Sequence, residues 1–220
     1  MKVCTYLLFL FSFFAIKPAV AQQEGEVAVS RSRFIPYLVG GVNWAGITGV
    51  ENREEVGSFA TYNIGVGFLA LIQQPAPLSL TVETFLSQQG YKLTNPRRGS
   101  SPEFMRFSYI NIPAVLRFNL SPKSNFYAGV GPQVGFMIDS HVISRDGEKD
   151  DLEENNLNKT AFDAIGTFGT YFGKNEDMGF EIRYQAGLNK FMNNAPDFRH
   201  SVLQLRLIIM PTFINQLVGR

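Results

Sequence analysis

Six ionisable residues stand where their chemistry is hardest to ignore: Glu83, Arg117, Asp163, Glu181, Arg183 and Arg206. Each lies in a segment whose residue character changes at every step, and each falls on the side that carries small and polar partners. Glu83 shares its side with Ser79, Thr81, Phe85, Ser87 and Gln89; Arg117 shares its side with Tyr109, Asn111, Pro113 and Val115. Glu181 and Arg183 alternate with Phe180, Ile182 and Tyr184, and Arg206, sharing its side with Gln204 and Ile208, alternates with Leu203, Leu205, Leu207 and Ile209. Period two is the signature of a strand with unlike faces. Three carboxylates and three guanidinium groups on the inner faces of strands point to ion pairing. An interior charge must be offset by a partner, because desolvation costs several kcal/mol per ion, and arginine offers the fork of donors best suited to that task. The expected reading is a structural charge network in the lumen of a barrel; a proton or ion path is the alternative.

Other constellations are weaker. Asp146-Gly147-Glu148-Lys149-Asp150-Asp151-Leu152-Glu153-Glu154 crowds carboxylates into one stretch, but as a calcium loop of EF-hand type it would need glycine where Asp151 stands and glutamate where Leu157 stands. A solvated acidic loop over residues 140–159 is the expectation. Asp139-Ser140-His141 brings acid, hydroxyl and imidazole together, yet neighbouring residues on a strand point to opposite sides, so the three form no relay. His200 is the only other histidine. Gly65-Val66-Gly67 and Gly129-Val130-Gly131 lie within strand patterns with no helix following, which excludes a nucleotide loop. The one cysteine, Cys4, precedes an apolar run at the N-terminus. No catalytic residue, no cofactor and no metal set is expected, and the chain reads as non-enzymatic.

The elements that must hold these residues are long. From Phe104 to Asp139 two alternating runs, each well over ten residues, meet at Ser121-Pro122-Lys123-Ser124. Ile110, Ile112, Ala114, Leu116 and Phe118 form one face of the first run, and Phe126, Ala128, Val130, Pro132, Val134, Phe136 and Ile138 form one face of the second. A tilted strand needs about nine to eleven residues to cross a bilayer. Further strands are predicted at 34–45, 59–73, 78–93, 160–173, 178–191 and 199–213, so the total is eight. The connections after the second, fourth and sixth strands are short, and those after the first, third and fifth are longer and more polar. Short inner turns and longer outer loops are the pattern of outer-membrane barrels. The faces Tyr62-Ile64-Val66-Phe68 and Leu203-Leu205-Leu207-Ile209 are large and apolar, opposite polar ones. The fold class is therefore all-β, an eight-stranded antiparallel up-and-down transmembrane barrel, with a soluble ligand-binding barrel of lipocalin type as the structural alternative. Tyr37, Trp44, Tyr62, Tyr109, Tyr127, Tyr171 and Tyr184 are candidates for the interfacial aromatic girdles.

At the N-terminus Lys2, the apolar run 6–16 and Ala19-Val20-Ala21 read as a signal peptide over residues 1–21, cleaved near Ala21. Residues 22–33 form a polar periplasmic lead-in, and 34–220 the barrel domain. The 220 residues carry a formal charge of +1, 45% hydrophobic and 18% charged side chains, so no charge excess argues for nucleic acid. Glycine and phenylalanine, 20 of each, suit strands that place apolar groups at every second position.

Gly40–Ile47 (GGVNWAGI), Thr81–Leu93 (TVETFLSQQGYKL), Tyr109–Leu120 (YINIPAVLRFNL), Phe126–Asp139 (FYAGVGPQVGFMID) and Phe180–Phe191 (FEIRYQAGLNKF) together resemble the PorT-like outer-membrane β-barrel proteins of Bacteroidota. The glutamate followed by Gln-Gly in the third strand and the Ile-Pro of the fourth are the more specific points. The resemblance implies a small barrel in the cell outer membrane. The expected role is that of a structural or interaction protein, such as an accessory subunit of a secretion or envelope complex; a narrow pore is the alternative. The expected partners are outer-membrane lipid and other envelope proteins reached through periplasmic turns or exterior loops, with a monomer as the expected state.

Overall fold

The computed structural model describes residues 34–48, 56–72, 78–93, 103–121, 124–143, 149–151, 157–173, 177–190 and 199–210. The predicted signal peptide and lead-in, the turn residues 122–123, and 144–148 and 152–156 of the acidic segment lie outside them. The described chain is built from β1 (Phe34–Thr48), β2 (Val56–Ser58), β3 (Ala60–Ile72), β4 (Leu78–Leu93), β5 (Glu103–Ser121), β6 (Ser124–Ile143), β7 (Lys149–Asp151), β8 (Thr160–Phe172), β9 (Met178–Gly187) and β10 (Arg199–Ile209). Eight of these pair in a ring, β1-β3-β4-β5-β6-β8-β9-β10, and β10 returns to β1 from Leu38↔Ile209 to Thr48↔Arg199. All pairings are antiparallel. The result is a closed eight-stranded barrel, and closure removes the unpaired edges that an open sheet of this length would expose. The two short strands are extensions: β2 pairs with the end of β4, and β7 with the end of β6.

Alternation decides which residues face which way. On β3, Tyr62, Ile64 and Phe68 are exposed while Thr61, Asn63 and Leu69 are buried. On β10, Leu203 and Leu207 face outward, and Gln204, Arg206 and Ile208 face the lumen. The outside thus carries a band of Phe, Leu, Ile and Val and the inside most of the polar groups, as expected where the outer surface meets hydrocarbon.

Several predicted boundaries shift. The first strand runs on to Thr48 because β10 pairs with it as far as Arg199. The seventh stops at Gly187, where the Asn189 side chain takes over the bonds to β8: its oxygen accepts from the Phe162 amide at 2.9 Å and its nitrogen donates to the Thr160 carbonyl at 2.7 Å. The eighth ends at Ile209, not at Phe213, and residues from 211 onward lie outside the described ones. On β6 the register slips between Ser108↔Asp139 and Tyr109↔Met137, leaving Ile138 as the extra residue of a β-bulge. Asp139, expected on the inner face, is exposed as a consequence.

The barrel is taller on one side. Pairing of β6 with β8 stops at Phe136↔Thr160, whereas β6 continues to Ile143 between β5 and β7. The ends of β4, β5 and β6, flanked by β2 and β7, form a raised wall at the end of the barrel that carries the long connections.

Side chains fill the lumen in layers. Tyr37, Val39, Leu69, Ile208 and Met210 make an apolar cluster at the end with the tight turns. Tyr91, Phe107, Tyr109, Ala45, Ala161, Val202 and Leu157 make another at the end with the long connections. Leu157, expected in a solvated loop, is buried in that second cluster. All the predicted charged residues, and a set of buried amides, lie between the two.

Candidate functional site

Two matching rows of three residues each build the central layer. In the first, Tyr37 on β1 is paired across the sheet with Gly67 on β3, and Gly67 with Glu83 on β4. In the second, Tyr127 on β6 is paired with Gly169 on β8, and Gly169 with Glu181 on β9. Each tyrosine ring lies across its glycine and delivers its hydroxyl to a glutamate two strands away. Tyr37 donates to Glu83 Oε1 at 2.7 Å, and Tyr127 donates to Glu181 Oε2 at 3.0 Å. The glycines are needed for close approach: a Cβ at Gly67 would sit 2.5 Å from Tyr37 Cζ, and one at Gly169 would sit 2.5 Å from Tyr127 Cζ. Any side chain at either position would push the ring away.

Three arginines cross-link the two glutamates. Arg183 holds Glu83 with both terminal nitrogens, each at 2.9 Å, and its Nε donates to Glu181 Oε1 at 3.1 Å. Arg206 donates to Glu83 Oε2 at 2.7 Å and to Glu181 Oε1 at 2.8 Å. Arg117 donates to Glu181 Oε2 at 2.7 Å, lies 3.7 Å from Glu83 Oε1, and donates to the Tyr171 hydroxyl at 2.7 Å. Aromatic faces cover the guanidinium planes, Arg117 over Tyr127 at 4.6 Å and Arg206 over Phe85 at 5.0 Å. All five charged side chains are buried to 1% exposure or less. Both carboxylates are saturated with charge-assisted hydrogen bonds, the strongest kind available to side chains. No group in the layer is positioned as a free nucleophile or general base; the arrangement braces β1, β4, β5, β6, β8, β9 and β10 across the lumen.

Five of the six predicted residues therefore meet in one cluster. Asp163 does not join them. Its place on β8 is six residues before Gly169, the level of Glu181, or about 20 Å along a strand. It is buried beside two amides instead, and its Oδ2 accepts from Gln133 Nε2 and Gln185 Nε2, both at 2.9 Å. Sequence reasoning missed the tyrosine partners. Tyr37, Tyr109 and Tyr127, grouped as girdle candidates, are buried in the lumen, and Tyr171 is turned toward Arg117. Trp44, Tyr62 and Tyr184 do face outward. The signal was available in the strand parity: Tyr127 alternates with Phe126 and Ala128 and shares its face with Gly129 and Gln133.

Above the amides, His200 sits among Tyr91, Phe107 and Tyr109; its ring nitrogens face the hydroxyls of Tyr91 and of Tyr109. At the rim, Asp139 and His141 share a side of β6 and meet at 3.2 Å, whereas Ser140 is turned from them. Against the expectation that the trio forms no relay, two of its three members, Asp139 and His141, do meet, being two residues apart on one side of the strand. Among the described residues, no group of three or more His, Cys, Asp and Glu could hold a metal ion.

A family model for the outer membrane protein beta-barrel domain matches residues 21–193. The chain belongs to this family. Among solved structures, this outer-membrane barrel overlaps Neisserial surface protein A at 13% identity and TM-score 0.49, over 79% of this chain and 96% of that one. It overlaps Ail, the attachment invasion locus protein of Yersinia pestis, at 10% identity and TM-score 0.41, over 80% and 97%. For OprG of Pseudomonas aeruginosa the values are 10%, 0.42, 80% and 93%. No curated protein matches the chain significantly.

Proposed function

We propose that this outer-membrane barrel is a non-enzymatic, non-conducting interaction protein that works through its raised rim. The observation that carries this reading is the filled lumen: a five-residue charged brace lies between two apolar clusters. An eight-stranded barrel is only wide enough for its side chains to fill, so a solute path would have to displace both clusters and the brace. The wall of β4, β5 and β6, lengthened by β2 and β7, offers an asymmetric surface beyond the ring. The short GGVNWAGI and YINIPAVLRFNL segments support placement in the PorT-like subgroup, and with it a role as accessory subunit of a secretion or envelope complex. On this reading the signal peptide directs export, the tight turns face the periplasm, the rim faces outward, and the chain is a monomer in lipid.

Two measurements test the proposal. Planar-bilayer recording of the purified protein should show no unitary current steps, and regular steps in a selective salt would favour the narrow pore instead. Cross-linking in native membranes through residues placed on the β6–β7 wall should trap a defined envelope protein. Trapping through the tight-turn end alone would move the working surface to the periplasmic side.

A further inference from the structure

The sixth lumen charge is unlike the other five. Asp163 is 1% exposed, and no arginine, lysine or histidine among the described residues forms an ion pair with it. Arg183, on the strand that carries Gln185, spends its donors on Glu83 and Glu181. What Asp163 has is two amide donors on a single oxygen, Oδ2, from Gln133 on β6 and Gln185 on β9. Having given their N–H groups to Asp163, these amides leave their carbonyl oxygens behind. Gln133 Oε1, Gln185 Oε1 and Asp163 Oδ1 are all buried and none accepts a hydrogen bond from the protein. Asn111, on β5 and paired with Gly135 two residues from Gln133, is equally buried with both amide atoms unpartnered.

A buried carboxylate without a counter-charge is costly, and buried acceptors without donors add to that cost. Oxygen-only ligands, one of them anionic, are the donor set of a hard cation. A single local negative charge is neutralised by a single positive one. We propose that Asp163, Gln133 and Gln185 form a monovalent-cation site in the lumen, sodium being the ion of matching hardness and charge. In this site Asp163 Oδ1 and the two glutamine Oε1 atoms are the ligands, and Asn111 lies on the neighbouring strand β5, paired with Gly135 two residues along from Gln133. The site lies between the charged brace and the aromatic cap of Tyr91, Phe107 and Tyr109. It does not depend on the non-conducting reading of the barrel, because a trapped ion and a permeant one would bind through the same oxygens.

The test uses the full chain in detergent micelles, melted in sodium chloride and in choline chloride at equal concentration, so that ionic strength is constant. The parent protein should melt several degrees higher in sodium, since an ion that binds only the folded state stabilises it by mass action. Asp163→Asn should lose that difference, and Asp139→Asn, at the exposed rim, should keep it. Should Asp163→Asn fail to fold, Gln133→Leu supplies the same comparison with the carboxylate intact and one ligand removed. Crystals grown in thallium(I) acetate give a direct reading, an anomalous peak at coordination distance from Asp163 Oδ1. Equal melting of the parent in both salts, a full sodium effect in Asp163→Asn, or thallium found only elsewhere would each overturn the proposal.

Discussion

Glu83 and Glu181 each face the same three guanidinium groups, and that sharing sets the consequences of any single change. Replacing Glu83 by alanine leaves three buried arginines on one carboxylate. Breaking a buried ion pair from one side costs about 3–5 kcal/mol, and Glu83→Ala is expected to fall in that range by urea unfolding in micelles. Arg117→Ala should cost a similar amount, and neither variant should open a measurable conductance, because both apolar clusters stay in place. Melting of either variant at the parent's temperature would refute a structural role for the brace. Tyr37→Phe removes one hydroxyl from a carboxylate that keeps its arginines. The expected loss is smaller, about 1.5–3 kcal/mol for a hydrogen bond to a charged group, and thermal melts in micelles resolve the order of the three variants.

At the scale of the strand, the glycines of β3 and β8 make the tyrosine reach possible. Gly67→Ala should displace the Tyr37 ring and destabilise by about 1–3 kcal/mol, the usual cost of overpacking. Combining it with Tyr37→Ala should cost less than the sum of the two, because the clash is then gone; strict additivity in that double-mutant cycle would show that ring and glycine do not interact. The outer faces obey a different rule. Ile64 is 58% exposed on the apolar side of β3. An arginine there should cost about 2–4 kcal/mol if that position lies near the bilayer midplane, as read from unfolding of liposome-embedded protein. The same substitution in a soluble barrel would be nearly neutral, so this variant also separates the lipid-facing fold from the lipocalin alternative.

For the whole molecule the main features are closure and filling. The ring joins β1 to β10, so each of the eight barrel strands has two neighbours, and the lumen is divided into an apolar floor, a charged brace, an amide layer and an aromatic cap. On the proposed reading, function belongs to the ends. The filled lumen predicts silent bilayers, and on the proposed reading the tall side of the barrel, where β6 outruns β8 by the stretch from Met137 to Ile143, is the surface a partner would meet.

What the amino-acid order determined by itself was the alternation, and with it the number of barrel strands, their lipid-facing and lumen-facing sides, and the inward parity of the six lumen charges. Period two is local, so Glu83, Arg117, Glu181, Arg183 and Arg206 were legible as lumen residues without any knowledge of their neighbours. Register is not local. Which strand lies beside which, and at what offset, decided that Tyr37 meets Glu83 across Gly67, that Asp163 stands about 20 Å up the strand from the level of Glu181 with two glutamines for company, and that one extra residue at Ile138 turns Asp139 outward. Tyrosine parity could be read but its partner could not, since a phenol serves a membrane girdle or a buried carboxylate equally well until the closed ring puts one of them within reach.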